Sequence, residues 1–205
     1  MPNACFAMYG DGSANQGQLF EAANMAGLWK LPVVYTIENN HYGMGTSLER
    51  ASHQTQLMAK FRGFPGLKID GQNTFLMREA TKWCKNFVIK NGPMFLEIDT
   101  YRYQGHSMSD PGITYRKREE IEMVKTTRDC IDFVRKIILS HSLATEQDLK
   151  NIEKKIRADI EKDIENIKKD PLPSLNEIYT HIYVNNEPHF IRGAEYETSV
   201  TDPKH

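Results

Sequence analysis

The stretch ACFAMYGDGSANQGQLFEAANMAGLWKLPVVYTIENN, residues 4–40, determines which fold the sequence predicts. It opens with a short apolar run, continues through a segment whose apolar residues recur with helical spacing, and closes with a second apolar run. A strand, a helix and a strand at this spacing form a βαβ unit, in which the two strands are parallel. Because parallel strands end at the same edge of a sheet, Gly10-Asp11-Gly12 is expected to lie beside Asn39-Asn40.

The rest of the first half repeats this alternation. Strands are predicted at residues 4–9, 33–38, 67–70 and 94–100, and helices at residues 16–30 and 73–90. Asn91-Gly92-Pro93 is a strong stop for the second helix, because Gly accepts left-handed backbone geometry and Pro cannot continue a helix. The pattern predicts an α/β fold in which helices flank a parallel sheet.

The second half is predicted to contain a loop followed by helices. Residues 101–118 lack periodicity, and a loop of this length in a compact domain is usually functional or disordered, so we expect a functional loop. The last helix has Thr145 as N-cap and Asp148 completing a capping box, and its isoleucine stripe predicts packing against the sheet domain or another subunit. Helices are predicted at residues 119–124, 129–139 and 146–169. The chain as a whole is predicted to consist of an α/β region at 1–118, a helical extension at 119–170 and an extended tail at 171–205.

Composition excludes several classes of function. Lys and Arg number 26 against 27 Asp and Glu, and this balance does not fit a protein that coats nucleic acid or an anionic membrane. No apolar run approaches the roughly 20 residues of a membrane span. The three cysteines lie in apolar patterns, which predict buried thiols. The strand at residue 4 has no element before it to cover it, so we expect an N-terminally truncated chain.

The shared edge of the first two strands carries oxygen ligands. Asp11 supplies a carboxylate and Asn40 an amide oxygen, and the glycines beside Asp11 allow a close backbone approach. Hard oxygen ligands suit Mg²⁺, which commonly completes its octahedral shell with water and phosphate oxygens. The G-D-G sequence alone could be a simple strand-to-helix turn, but its pairing with Asn39-Asn40 one βα unit later favours a binding site.

Longer motifs around these residues resemble one family. Gly10-Asp11-Gly12-Ser13 through Glu38-Asn39-Asn40 is similar to the thiamine-diphosphate motif of the 2-oxo acid dehydrogenases. The sequence resembles the α-subunit family of pyruvate dehydrogenases in particular. The similar stretches are residues 15–18 (NQGQ), 28–32 (LWKLP), 40–47 (NHYGMGTS), 101–112 (YRYQGHSMSDPG) and 181–183 (HIY). The resemblance covers nearly the whole chain and implies part of a thiamine-diphosphate-binding fold.

The resemblance implies a site for thiamine diphosphate and Mg²⁺. It assigns the metal to the side chains of Asp11 and Asn40 and to the main-chain carbonyl of Tyr42. It assigns contacts with the diphosphate to the backbone of Gly12 and Ser13, where N–H groups at a helix start favour phosphate oxygens.

Two residues of the loop have competing interpretations. A lone loop histidine is most often solvated, and a loop arginine can be an ordinary surface residue. The resemblance instead implies that His106 lies at the mouth of the active site beside the diphosphate, where an imidazole can donate and accept protons. It implies that Arg102 steadies the loop and the phosphate region through charge-assisted hydrogen bonds.

The resemblance also implies regulation by phosphorylation. Ser107 matches the principal regulatory serine of the animal-type enzyme and Ser47 a second one, while Thr114 stands where the family has its remaining serine. A phosphate adds about -1.5 to -2 units of charge near pH 7. Beside a bound diphosphate and Asp110, that charge is expected to repel and disorder the loop.

The implied function is that of a pyruvate dehydrogenase α subunit in the mitochondrial matrix, which decarboxylates pyruvate oxidatively and passes the acetyl group to a lipoyl group. The implied partners are the β subunit in an α2β2 heterotetramer, the dihydrolipoyl acetyltransferase core, and a regulatory kinase and phosphatase, without nucleic acid or membrane. The chain is expected to be inactive alone, because the resemblance places a required glutamate on the β subunit and part of the cofactor pocket in α residues before Met1.

Three alternatives remain open at this point. The first is another member of the family, a branched-chain 2-oxo acid or acetoin dehydrogenase α subunit, although residues 103–111 favour pyruvate. The second is a non-catalytic binding module that keeps the α-subunit surface. The third is a nucleotide-binding domain, against which the absence of G-x-G-x-x-G and of G-K-[ST] argues.

Overall fold

Four parallel strands form the main sheet of the computed structural model, which describes residues 3–181. The strands in this part of the chain are β1 (Cys5–Gly10), β2 (Val33–Asn39), β3 (Tyr42–Gly43), β4 (Thr46–Ser47), β5 (Gly66–Asp70) and β6 (Met94–Asp99). The sheet has the order β1-β2-β6-β5, and each neighbouring pair is parallel. The strands β3 and β4 form a separate antiparallel hairpin. The predicted parallel α/β fold is confirmed.

Helices flank the sheet and continue after it. Those in the described residues are α1 (Gly17–Leu28), α2 (Leu48–Ala51), α3 (Leu57–Lys60), α4 (Thr74–Asn91), α5 (Arg118–Arg128), α6 (Cys130–Ser140) and α7 (Glu146–Ile167), with 3-10 helices at Ser13–Asn15 and Leu175–Tyr179. Gly92 has φ 90° directly after α4, as the predicted stop requires. The predicted capping box of Thr145 and Asp148 begins α7. The helix α5 is longer than predicted, and the Thr126 and Thr127 hydroxyls donate to carbonyls of its preceding turn.

Each face of the sheet carries its own apolar core. On one face, Tyr35, Ile37 and Phe95 are buried together with residues of α1 and α3. The ring of Phe61 stacks on Phe95 there, with the ring centroids 3.9 Å apart. On the other face, α4 buries Cys84 against residues of β2, β5 and β6. Burial on both faces explains why the central strands are apolar at successive positions.

The strand β1 lies at one edge of the sheet and is less well covered. Its residues are half-buried or exposed, and Met8 is 67% exposed. The prediction that the cysteine thiols are buried is therefore wrong for Cys5, which is exposed, and confirmed for Cys84, which is buried. Cys130 is intermediate in exposure. An apolar run predicts a strand well, but it does not tell how much of that strand the fold covers.

Residues 145–181 belong to a second structural unit, divided from the first between Ala144 and Thr145. The isoleucine stripe of α7 is exposed by 46 to 66%. Its predicted packing stays a prediction, as do the predicted boundaries at residues 118 and 170. Most of the predicted extended tail lies outside the described residues. Within residues 3–181, no helix combines the length and the apolar character needed to cross a membrane.

Candidate functional site

The carboxyl ends of β1 and β2 lie side by side, as the βαβ pattern predicts. Gly10 is opposite Glu38 in the parallel register, so Asp11 follows β1 at the level of the residues that end β2. Asp11 is 2% exposed, and the main-chain N–H of Asn40 is close enough to its carboxyl group to lower the pKa of that group. The structure thus brings Asp11 and Asn40 together at the edge where open α/β sheets bind ligands.

Buried polar atoms without a partner point to the same place. Within the described part of the chain there are three such side-chain atoms, Asp11 Oδ1, Arg102 Nε and the Tyr9 hydroxyl. Two of the three belong to residues that the sequence assigns to the site, and buried polar atoms are rarely left unpaired. A carboxylate oxygen suits a cation and a guanidinium N–H suits a phosphate oxygen, so the two atoms fit a metal-bound diphosphate.

The environment of Asp11 combines burial with groups that favour a negative charge. Burial raises the pKa of the Asp11 carboxyl. The N–H groups of Asp11 and Asn40 and the nearby side chains of His41 and Arg102 act in the opposite direction and lower that pKa. A cation bound at Oδ1 would add to this second set and hold the carboxyl group ionised.

The turn between β2 and β3 carries the other two predicted metal ligands. Asn40 Oδ1 accepts the N–H of Tyr42 at 3.3 Å, and His41 between them has φ 69°. The Tyr42 carbonyl accepts Nη1 of Arg102 at 3.3 Å, which leaves that oxygen a second lone pair for another partner. Joint coordination of a metal by Asp11, Asn40 and Tyr42 stays a prediction.

This ligand set has only one charged member. Within residues 3–181, no group of three or more His, Cys, Asp and Glu side chains is arranged to hold a metal ion. The predicted set is of another kind, because it combines one carboxylate with an amide oxygen and a main-chain carbonyl. Such a set would leave several coordination positions of the metal to water and phosphate oxygens, and this is the usual way in which proteins hold Mg²⁺.

Two glycines bring the turns after β1 and β2 close together. A Cβ atom added to Gly12 would lie 3.0 Å from the Cα of Gly43, and a Cβ on Gly43 would lie 3.1 Å from the Cα of Gly12. Gly12 also precedes the 3-10 helix of Ser13, whereas α1 begins only at Gly17. Any phosphate contact of Gly12 and Ser13 therefore depends on individual N–H groups and close approach rather than on the dipole of a long helix.

Arg102 connects the loop after β6 to the β3–β4 hairpin. Besides the Tyr42 carbonyl, its guanidinium donates through Nη2 to the carbonyl of Met44 at 2.7 Å and to the hydroxyl of Tyr115 at 2.9 Å. The predicted role of Arg102 in steadying the loop is consistent with these bonds. Through the Arg102 guanidinium, the loop is also hydrogen-bonded to Tyr42, one of the predicted metal ligands.

Arg116 is a residue of this loop that the sequence analysis does not identify. It is 5% exposed and donates to three main-chain carbonyls, those of Gly112 (2.9 Å), Gln104 (2.8 Å) and Arg102. Its guanidinium carbon also lies 5.3 Å from the centroid of the Tyr101 ring. Charge-assisted bonds to three separate points of one loop stabilise the conformation in which all three bonds are made. The only signal in the sequence is a basic run before α5, which is more typical of a solvated surface.

Asp110 holds the middle of the loop. Its carboxylate accepts the N–H of His106 at 2.8 Å, the N–H of Gly112 at 2.8 Å and the hydroxyl of Tyr115 at 2.7 Å. These donors, with the His106 N–H first, lower the pKa of Asp110 to about 2. Gly105 faces it so closely that a Cβ there would lie 1.8 Å from the main-chain oxygen of Asp110.

Acid titration is expected to show how strongly the loop prefers the ionised form of Asp110. Because its pKa is lowered from 3.8 to about 2 in the folded protein, its contribution to loop order is complete above roughly pH 4 and is lost as the pH falls towards 2. Amide NMR signals of His106 and Gly112 should follow this titration with a midpoint near 2. Asp110→Asn should abolish it, and a midpoint near 3.8 would contradict the arrangement.

The remaining predicted residues lie on accessible parts of the same loop or the hairpin. His106, Ser107 and Thr114 are exposed, and the Ser107 hydroxyl lies 3.1 Å from that of Ser109. Ser47 is half-buried, pairs with Tyr42 across the hairpin and precedes α2. His106, Ser107 and Thr114 thus lie on the surface, and the chemical roles of these residues and of Ser47 stay predictions.

The sequence is similar to those of known proteins over most of its length. The chain is 51% identical over 201 residues to the mitochondrial pyruvate dehydrogenase E1 component subunit alpha of Dictyostelium discoideum. This alignment covers 96% of the present chain and 52% of the Dictyostelium protein. The chain is 52% identical over 181 residues to subunit alpha-1 of Oryza sativa subsp. japonica (88% and 46% covered) and 47% identical over 191 residues to the somatic form of Bos taurus (93% and 49% covered). The chain thus spans about half the length of these relatives. The model of the family described as dehydrogenase E1 component matches residues 1–176, and this chain belongs to that family.

Proposed function

We propose that this chain is the cofactor-anchoring part of a pyruvate dehydrogenase α subunit that acts in the mitochondrial matrix. The proposed reaction is the oxidative decarboxylation of pyruvate, with transfer of the acetyl group to the lipoyl group of dihydrolipoyl acetyltransferase. The single observation that carries the proposal is the buried, unpartnered Oδ1 of Asp11 beside the turn of Asn40. The names of the relatives support the substrate and the location.

The residues of the edge anchor the cofactor. Asp11, the Asn40 side chain and the Tyr42 carbonyl would hold Mg²⁺, while the backbone of Gly12 and Ser13 and the guanidinium of Arg102 would contact the diphosphate. The thiazolium ring of thiamine diphosphate, when bound, accepts the electron pair released on decarboxylation. The chain itself contributes orientation and charge compensation for the diphosphate.

His106 is proposed to handle protons at the entrance of the site. It is exposed on a loop whose backbone is fixed by the bond from the His106 N–H to Asp110. An imidazole can donate or accept a proton near neutral pH. We assign it proton transfer to and from the reacting substrate, and the β subunit supplies the glutamate that activates the cofactor.

A calorimetric titration of thiamine diphosphate with Mg²⁺ tests the proposal directly. The chain is titrated alone and again after reconstitution with a pyruvate dehydrogenase β subunit. Binding only in the presence of the β subunit is expected, because the site is proposed to be shared between the subunits. Absence of binding under both conditions would contradict the proposed function for this chain.

A substrate panel then distinguishes members of the family. A full-length α subunit that carries this sequence, reconstituted with a β subunit, is expected to turn over pyruvate in preference to branched-chain 2-oxo acids and acetoin. Residues 103–111 and the names of the relatives support this preference. Faster turnover of a branched-chain 2-oxo acid or of acetoin would assign the chain to another substrate class.

Phosphorylation at Ser107 is the proposed regulatory switch, with a regulatory kinase and phosphatase as partners and with Ser47 and Thr114 as further sites. Ser107→Glu in the full-length α subunit is expected to reduce activity at least about tenfold and far more than Ser109→Glu, because its negative charge is proposed to lie beside the bound diphosphate as well as close to Asp110. Ser109→Glu provides the matched control, since this hydroxyl lies 3.1 Å from that of Ser107. Steady-state rates of the two variants are compared, and equal effects would remove Ser107 as the switch.

A further inference from the structure

A buried carboxylate lies behind the candidate metal site, outside every motif described above. Glu97 of β6 is 0% exposed. Its carboxylate accepts Nδ2 of Asn39 at 3.0 Å and the N–H of Met58 at 3.3 Å, and it pairs with Nζ of Lys68 at 2.9 Å. A buried carboxylate is costly unless it is paired and hydrogen-bonded, so a residue of this kind needs an explanation.

The bond between Glu97 and Asn39 determines how the Asn39 side chain is oriented. An ionised carboxylate only accepts hydrogen bonds, so the NH₂ group of Asn39 must face Glu97. The amide oxygen is then directed away from Glu97, and it accepts the main-chain N–H of His41 at 3.1 Å. Asn39 is 1% exposed, so neither of these bonds is exchanged readily for water.

His41 is the residue between the two predicted metal ligands of this turn. Its main chain has φ 69°, a conformation that residues with a side chain adopt rarely. Its ring is held as well, because Nε2 lies 2.7 Å from Oδ1 of Asp99, and Oδ2 of the same carboxylate accepts Nη2 of Arg128 at 3.2 Å. Glu97 and Asp99 are alternate residues of β6, so this strand holds the turn after β2 from the same face.

We propose that Glu97 is a positioning residue for the metal-binding turn. Acting through the Asn39 amide, it holds the His41 main chain in its left-handed conformation and so sets where Asn40 Oδ1 and the Tyr42 carbonyl are presented. The inference rests on the proposed function of Asn40 and Tyr42 as metal ligands. It adds a residue that lies 58 positions from Asn39 in the sequence.

A purely structural role for Glu97 makes a different prediction. Glu97 also joins β6 to β5 through Lys68 and to α3 through Met58. If only those contacts mattered, removal of Lys68 would have the same kind of effect as removal of Glu97. If Glu97 acts through Asn39, the two substitutions should both lower thermal stability, but only the one at Glu97 should change the metal site.

The test uses Mn²⁺ as the probe, with thiamine diphosphate, on the chain reconstituted with a β subunit. Mn²⁺ affinity and the electron paramagnetic resonance line shape of the bound ion are measured for Glu97→Leu, Glu97→Gln and Lys68→Met, each after a thermal melt. Glu97→Leu is expected to weaken Mn²⁺ binding at least about tenfold and to change the line shape, because one ligand pair loses its geometry. Glu97→Gln keeps an acceptor for Asn39 and should stay within about threefold of the unmodified protein, and Lys68→Met should leave affinity and line shape unchanged.

Asn39→Leu removes the same hydrogen bond from the Asn39 side. It replaces Glu97→Leu as the test if that variant does not fold. It should weaken Mn²⁺ binding to a similar degree, and the double variant should be no weaker than either single one, because the two residues act in series. Unchanged affinity in both single variants, or an equal loss in Lys68→Met, would overturn the inference. Asp11→Asn separates it from the proposed function: if the unmodified protein binds Mn²⁺ and Asp11→Asn binds it at least about tenfold more weakly, only the role of Glu97 is in question. If neither binds, the metal site itself is wrong and the role of Glu97 with it.

Discussion

Asp11→Asn is expected to weaken binding of Mg²⁺ with thiamine diphosphate by a factor of about ten or more, or ~1.4 kcal/mol. The substitution removes the one charged member of the predicted ligand set while it preserves size and shape. At the same time it should raise the melting temperature of the metal-free protein. Oδ1 of Asp11 is buried without a partner, and the cost of burial outweighs the neighbouring groups that favour the charge, so a neutral amide in its place lowers that cost.

The raised pKa of Asp11 explains why Asp11→Asn is expected to increase the melting temperature of the metal-free protein. An aspartate whose pKa is higher in the folded than in the unfolded protein lowers stability once the pH exceeds the unfolded value, and the loss grows until the pH exceeds the folded value. The stability difference between Asp11→Asn and the unmodified protein should therefore be largest near neutral pH and smaller in acid.

Calorimetry of binding and of unfolding measures both effects of Asp11→Asn. Asp163→Asn is a suitable control, because Asp163 is an exposed aspartate on α7 and lies outside the site. It should change neither affinity nor melting temperature. An Asp11→Asn protein that keeps its affinity would exclude Asp11 as a metal ligand, and one that is less stable without metal would contradict the account of the unpartnered oxygen.

Arg116→Met is expected to release the loop of residues 101–116 and, in a full-length α subunit reconstituted with a β subunit, to abolish most of the activity. The substitution retains an apolar stem but leaves three main-chain carbonyls without their donor, and hydrogen bonds to charged groups contribute about 1.5–3 kcal/mol each. Hydrogen exchange of the loop should increase at least about tenfold, with little change in the central strands.

Two matched variants sharpen this result. Arg116→Lys keeps the charge but cannot reproduce a planar fork that reaches several carbonyls, so it should restore the loop only in part. Arg118→Met removes an exposed arginine two positions later and should leave exchange and activity unchanged. Equal exchange rates in Arg116→Met and the unmodified protein would show that other contacts order the loop.

Loop order and metal geometry are connected through Arg102. Its guanidinium bonds to the carbonyl of Tyr42 on one side and to the hydroxyl of Tyr115 on the other, and Tyr115 in turn donates to Asp110. A disturbance at Ser107 would therefore reach Tyr42, a predicted metal ligand, through four hydrogen bonds, and one at Arg116 would reach it through two. This connection gives the proposed phosphorylation switch a physical route to the cofactor site.

Local patterns in the sequence are sufficient to predict most elements of the fold. The stop at Asn91-Gly92-Pro93 and the capping box of Thr145 and Asp148 depend only on residues a few positions apart, which is why they can be read directly. The convergence of Asp11 and Asn40 is also predictable, because a βαβ unit has one handedness and one edge at which both strands end.

Tertiary structure alone decides which residues support that edge. Glu97 reads as an interruption of an apolar strand, and its partner Asn39 lies 58 positions away. Arg116 reads as a surface charge, because its partners are main-chain carbonyls and carbonyls have no sequence signature. The exposure of Cys5 likewise follows from the position of β1 at the edge of the sheet. The sequence by itself determines the elements and the two turns that meet, since these depend on short-range periodicity. The contacts that hold the turns in place arise only when distant segments pack together.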